Sequence, residues 1–68
     1  MRYAVVIEKS ESGYGAYVPD LPGCVAVGET LKDTERLIQE AVEFHLEGLR
    51  EDGISVPEPS AVTHYVEV

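Results

Sequence analysis

The segment that most constrains the fold is a block of turn-forming residues, Pro19-Asp20-Leu21-Pro22-Gly23, between two short β-prone stretches. Each proline fixes its own φ and removes a backbone donor, so neither can occupy the interior of a central strand. The chain therefore reverses direction here, and strands joined by such a short connection usually pair antiparallel. The sequence thus predicts an antiparallel meander built around this turn.

Three strands are predicted in this meander, at residues 2–9, 14–18 and 24–27. The first is rich in β-branched and aromatic side chains, and a cluster of Ser and Gly at residues 10–13 separates it from the second. If Tyr3, Val5 and Ile7 face a helix, small apolar residues and one tyrosine are expected on the other side of the sheet: Ala4, Val6, Tyr17, Cys24 and Ala26. An open face of this composition suggests a contact with another protein.

Residues 30–52 predict one long helix, in which apolar side chains recur at steps of three and four residues. Thr30 is suited to the N-cap, with Asp33 in the first turn, and Gly53 is suited to the left-handed position that follows a helix. After a connector with two prolines, residues 61–68 predict a last strand, which could lie at a sheet edge and pair with a second copy. The predicted fold class is α+β: a two-layer β-β-β-α-β domain with an antiparallel sheet and one main helix.

Length and charge limit the possible functions. The 68 residues allow a single domain, 1–68, and a core this small predicts a homodimer or a higher even oligomer. The chain has 13 acidic and 5 basic residues, a net charge of -8, so we expect no direct binding to nucleic acid and a basic protein as the natural partner. Acidity that serves solubility alone is the alternative explanation.

Localisation is predicted from what the sequence lacks. The one cysteine, Cys24, allows no disulfide within the chain and fits a reducing compartment. Residues 1–9 do not resemble a signal peptide, and no apolar run approaches the roughly 20 residues that span a bilayer. We therefore expect a cytoplasmic protein without a membrane contact.

Several residues could suggest a catalytic or metal site, but each has a simpler explanation. Asp20 and Asp33 are the residue types expected in a turn and in the first turn of a helix. Cys24, His45 and His64 match no known metal-ligand spacing, and no general base lies near Cys24 in the sequence. We therefore predict no enzyme, no catalytic residues, no cofactor and no metal. The residues predicted to bind a partner surround the turn: Tyr14, Tyr17, Asp20, Leu21, Pro22 and Cys24.

The order of motifs resembles the HicB-like antitoxin family. The similarity covers nearly the whole chain and rests mainly on Val18-Pro19-Asp20-Leu21-Pro22-Gly23-Cys24 followed by Gly28-Glu29-Thr30 and the helix. The strand Tyr3-Ala4-Val5-Val6-Ile7-Glu8 and the helical segment Ala41-Val42-Glu43-Phe44-His45-Leu46-Glu47-Gly48-Leu49 add to it.

The resemblance implies a degenerate ribonuclease-H-like domain that binds and masks a small, basic, mRNA-cleaving toxin of the HicA type. Many members continue into a helix-turn-helix or ribbon-helix-helix domain that binds operator DNA. No such domain follows the last predicted strand in these 68 residues, so a short, stand-alone member without DNA binding is expected. The alternative is a stand-alone oligomeric domain with no toxin partner.

Overall fold

The computed structural model describes residues 1–68 and contains three strands and one helix. The strands are β1 (Val6–Ser10), β2 (Gly13–Tyr17) and β3 (Val25–Gly28), and α1 (Leu31–Glu51) follows them. Both strand pairs are antiparallel, and β2 lies between β1 and β3. The predicted α+β class, with an antiparallel sheet and one main helix, is confirmed.

The strand register decides which side chains meet the helix. Ile7, Ala16 and Ala26 lie side by side across the sheet, and all three belong to the core or pack against it together with Ile38 of α1. The neighbouring row, Val6, Tyr17 and Val25, therefore faces away from the helix, because side chains alternate along a strand.

The face predicted for two residues was wrong. Cys24 and Ala26 lie on the helix side of the sheet rather than on the open side with Tyr17. The reason is the pairing register: Ala26 lies opposite Ala16, which faces the helix, and Val25 lies opposite Tyr17, which faces away.

The Pro-rich turn is held by its own backbone and by burial. The amide of Leu21 donates to the carbonyl of Val18 at 3.0 Å, and the amide of Cys24 donates to the carbonyl of Leu21 at 3.0 Å. These bonds push the Leu21 side chain under the end of the sheet, where it is 0% exposed. The turn is thus part of the core, together with Ala16, Val18, Cys24 and Ile38.

The helix begins and ends where its capping residues predict. Thr30 is the N-cap, and its hydroxyl oxygen accepts a hydrogen bond from the amide of Asp33 at 3.0 Å. At the other end Gly53 has φ 71°, and the amide of Ile54 donates to the carbonyl of Leu49 at 2.9 Å. No helix in the structure combines the length and apolar character needed to cross a bilayer.

The predicted last strand at residues 61–68 is not formed, which corrects that part of the sequence prediction. The chain after the helix is instead fixed at two points. The hydroxyl of Tyr3 donates to the carbonyl of Pro57 at 2.5 Å, and the Asp20 carboxylate binds Ser60 and Ala61. Beyond Ala61 the side chains are exposed. A strand needs a neighbouring strand for its backbone hydrogen bonds, and these residues find none within the single chain.

The single chain exposes more surface than a folded monomer of its size. Its accessible area is 5453 Å² for a mass of 7.5 kDa, whereas the usual scaling gives about 4,250 Å². Its radius of gyration is 13.1 Å, against about 11 Å expected for a compact chain of this length. The excess area is about 1,200 Å², and the extended residues after Ala61 contribute to it.

Candidate functional site

The six residues predicted to bind a partner do not form one surface. Leu21 and Cys24 are buried, so their side chains offer almost no surface to a partner that binds without rearranging the turn. Tyr14 is half-buried, whereas Tyr17 and Pro22 are exposed. Partner binding by the accessible residues of this set stays a prediction.

Asp20 has a structural role instead. One carboxylate oxygen accepts the amides of Ser60 at 3.0 Å and Ala61 at 3.1 Å, and the other accepts the Ser60 hydroxyl at 2.9 Å. Hydrogen bonds from the Ala61 amide, then from the Ser60 amide and hydroxyl, lower the pKa of Asp20 below its usual value. Asp20 therefore ties the chain after the helix to the turn between β2 and β3.

A groove of about 460 Å³ runs between β3 and the C-terminal half of α1. We call it the β3-side groove and define it by six of its lining residues, Val25, Ala41, Phe44, His45, Gly48 and Leu49. Gly48 is the poor helix former of α1, and a Cβ built at its position meets nothing within 4 Å. The groove is thus open beside Gly48, and a partner could approach the helix backbone closely there.

Phe44 is the most conspicuous residue of the β3-side groove. It is the only phenylalanine of the chain and is 79% exposed. Glu40 and Glu47 lie one helical turn before and after it, and both are exposed. An exposed aromatic side chain with acidic residues around it is suited to anchor a partner that carries positive charge.

The sequence interpretation missed Phe44, because it falls outside the apolar stripe that faces the sheet. The sequence did contain a signal for this residue. A single large aromatic side chain on the otherwise polar side of an amphipathic helix has no packing role within the chain.

The sheet face away from the helix adjoins this groove. We call it the open sheet face and define it by Val6, Glu8, Gly15, Tyr17, Val25 and Val27. Tyr17, Val25 and Val27 are exposed, and Val25 also lines the β3-side groove. The apolar surface therefore continues from Phe44 around the β3 edge. The one-residue error in the phase of β3 explains why Val25 and Val27 were not predicted on it.

The residues considered for catalysis or metal binding do not converge. Cys24 and His45 line the β3-side groove, but His64 lies in the exposed segment after Ala61. No group of three or more His, Cys, Asp or Glu side chains is placed to hold a metal ion. Burial raises the pKa of the Cys24 thiol, which favours the protonated, less nucleophilic form.

Comparison with known proteins identifies the family. The model of a family described as "HicB-like antitoxin of bacterial toxin-antitoxin system" matches residues 3–68. The chain belongs to the HicB-like antitoxin family. The resemblance found in the turn and helix motifs is thereby confirmed.

Individual relatives agree with this assignment of the HicB-like chain. A 14.9 kDa protein from the rep-hol intergenic region of Haemophilus phage HP1 is 39% identical over 66 residues, which are 97% of this chain and 50% of the phage protein. "Antitoxin HicB 2" of Photorhabdus laumondii is 32% identical over 60 residues, 88% of this chain and 43% of that protein. The HicB-like chain thus spans about half the length of these two relatives.

A solved structure shares the fold. One chain of the "HicA3 and HicB3 toxin-antitoxin complex" has a TM-score of 0.74 and 33% identity to the HicB-like chain, and the alignment covers 87% of this chain and 70% of that one.

Proposed function

We propose that this HicB-like chain binds a small, basic, HicA-like ribonuclease toxin and masks its active site, without catalysis and without contacting DNA itself. The observation that carries the proposal is the match to a chain of a solved toxin-antitoxin complex, because it joins family and fold to a type of partner. The β3-side groove and the adjoining open sheet face are the proposed docking surface.

The shape and polarity of the groove support this choice of surface. Phe44 offers a large apolar side chain whose packing is not already satisfied within the chain. Aromatic side chains near the centre of an interface contribute most to affinity when surrounding contacts exclude water. Val25 and Leu49, on either side of the groove, are placed to form such surrounding contacts.

The charge distribution supports a basic partner. The net charge is -8, and exposed glutamates flank Phe44 along the helix. Opposite charge on the toxin would raise the rate of encounter and make the affinity depend on salt. The same negative charge disfavours approach to a nucleic-acid backbone. We therefore expect that residues 1–68 do not bind operator DNA themselves.

The direct test is neutralisation of the toxin. The neighbouring gene product is expressed alone and together with this chain, and growth and mRNA integrity are followed. We expect toxicity to fall in proportion to the antitoxin added, because masking is stoichiometric. A neighbouring protein that is harmless, or a toxicity unchanged by this chain, would refute the antitoxin role.

The docking surface is tested separately by Phe44→Ala. We expect the affinity for the toxin to fall by about 30-fold or more, since a central aromatic anchor contributes about 2 kcal/mol or more. The matched control is Leu31→Ala, which removes another exposed apolar side chain from the same helix but outside the groove. Both variants should keep the far-UV circular dichroism of the parent. Equal affinities for the two variants would exclude the β3-side groove.

The large accessible area supports a second candidate function. The chain exposes about 1,200 Å² more surface than a compact monomer of its mass. In that alternative the domain is a stand-alone oligomer with no toxin partner, and its apolar surfaces contact only other copies. The neutralisation experiment separates the two, because the alternative predicts an oligomer that leaves every candidate toxin active.

A further inference from the structure

We propose that residues 62–68 of each chain bind a second copy, where they add a strand to the free edge of β1 and fill the groove beside it. The exchange is reciprocal and gives a two-fold dimer. It concerns the opposite edge of the sheet from the proposed toxin site and does not depend on toxin binding.

The donated segment has a strand pattern without a strand partner. Residues 61–68 alternate, with Val62, His64, Val66 and Val68 on one side and Thr63, Tyr65 and Glu67 on the other. Val66 is 76% exposed, and Val62 and Tyr65 are exposed as well. β-branched and aromatic residues favour a pleated, half-buried setting, which the single chain does not provide here.

The receiving site lies along the outer edge of β1. β1 pairs only with β2, so the backbone groups on its other side have no strand partner. A groove of about 530 Å³, the β1-side groove, separates this edge from the N-terminal half of α1. Its apolar lining includes Tyr3, Val5, Ile7, Ile38 and Val42. An added strand could complete its hydrogen bonds on β1 and pack its valines against this lining.

Two tethers fix the place where the tail leaves the body of its own chain. The Tyr3 hydroxyl holds Pro57 at the end of the β1-side groove, but the chain then continues to Asp20. Asp20 lies in the turn between β2 and β3, so the tail leaves the body one strand away from the β1 edge. Residues 62–68 stay exposed and form no strand on the β1 edge of their own chain, so this edge and its groove are left free to receive the tail of a second copy.

Charge favours the same pairing. Arg2 lines the β1-side groove, and Lys9 is exposed at the other end of the same edge. Two of the five basic residues of an acidic chain therefore flank the site. Glu35 also lines the groove, so Arg2 and Lys9 offset part of the repulsion between two chains of charge -8 at this edge without making it strongly basic.

The exposed area fits a dimer. The excess of about 1,200 Å² over a compact monomer exceeds the roughly 800 Å² that each partner buries in a standard interface. Exchange of an identical segment is a common route to such dimers, because the same contacts are made twice around a two-fold axis.

The first experiment measures mass by analytical ultracentrifugation over a concentration series of the full chain, without toxin. We expect twice the 7.5 kDa chain mass. Val66→Asp should weaken dimerisation about a hundredfold, since it places a carboxylate in an apolar groove. The matched control is Val27→Asp, because Val27 is similarly exposed, at 78%, but lies on the open sheet face. A monomeric parent, or a dimer broken by Val27→Asp and not by Val66→Asp, would overturn the proposal.

The second experiment mixes complementary variants. Val5→Asp disrupts the β1-side groove and leaves the tail intact, whereas Val66→Asp disrupts the tail and leaves the groove intact. Each variant alone should be monomeric, and the mixture should form a heterodimer through the one remaining intact site, weaker than the parent dimer. A tail that folds into its own groove predicts no heterodimer, so its absence from the mixture would refute exchange.

Hydrogen exchange on the unmodified chain tests the proposal without substitutions, and so does not depend on whether the variants fold. We expect the amides of residues 62–68, together with the outward amides of β1, to become protected as concentration rises into the dimeric range. Tail amides that stay unprotected in a sample of dimeric mass would contradict the exchanged strand.

Discussion

Replacing Leu21 by Ala tests whether the turn is a binding surface or part of the core. The sequence placed Leu21 among the candidate partner contacts, whereas the structure buries it completely. The two roles predict different losses: a contact residue costs affinity, and a core residue costs stability.

The size of the stability loss follows from burial. Leu21 is 0% exposed and packs in a core of only five buried apolar residues. Leu-to-Ala changes at buried sites cost about 2–5 kcal/mol, of which part is transfer and part the cavity left behind. Leu21 lies in a turn at the end of the sheet, where neighbours can close in partly, so we expect about 3 kcal/mol. For a domain of this size that corresponds to a fall in Tm of about 12–24 °C.

The assay is urea unfolding followed by far-UV circular dichroism at several protein concentrations, since dimerisation adds to apparent stability. Pro22→Ala is the control, because Pro22 is the exposed neighbour in the same turn and should change stability by about 1 kcal/mol at most. The folded fraction of Leu21→Ala should bind toxin as the parent does. A Leu21→Ala variant with unchanged stability and reduced affinity would show that the reasoning from burial is wrong.

Four further predictions follow from the same structure. Gly28→Ala should lower the free energy of unfolding by about 2–3 kcal/mol in urea titrations, because the added Cβ would lie 2.9 Å from the Thr34 amide nitrogen; a neutral effect would contradict this close packing. Because its pKa is lowered, Asp20 contributes to stability above the ordinary carboxyl pKa of about 3.9, and this contribution is lost as pH falls through the lowered value. Asp20→Asn should therefore reduce the dependence of the unfolding free energy on pH in the acid range. An unchanged dependence would contradict the hydrogen bonds to Ser60 and Ala61. The pure chain should leave RNA intact with Mg²⁺ or Mn²⁺, and cleavage abolished by Asp20→Ala would disprove the lack of activity. Light scattering of the complex should give two antitoxins and two toxins, whereas toxin binding that releases antitoxin monomers would place both contacts on one edge.

The parts of the fold that depend on local chemistry could be predicted from the sequence. Thr30 and Gly53 mark the ends of the helix because capping bonds involve residues only a few positions apart. The Pro-rich turn fixed the antiparallel order of the strands for a similar reason.

The parts that depend on the phase of a strand or on a distant partner could not be predicted. Whether Ala26 or a neighbour one residue away lies opposite Ala16 decides the face of every residue of β3, and composition does not distinguish these registers. The strand pattern of residues 61–68 is present in the sequence, but a strand forms only where another backbone accepts it. The exposure of Phe44 could be predicted from its place off the apolar stripe, but its position beside β3 in the groove depends on the tertiary structure.

The sheet order determines how two partners can be bound at once. With β2 in the centre, β1 and β3 are both free edges, and α1 crosses behind them so that each half of the helix closes one groove. No residue lines both grooves. The β1-side groove has a mainly apolar lining with Arg2 and Glu35, which suits the valine-rich tail of a second copy, whereas glutamates flank Phe44 at the β3-side groove, which suits a basic toxin. The proposed self-association would therefore leave the proposed toxin surface exposed, and the small core would gain stability from a dimer that could still bind toxin.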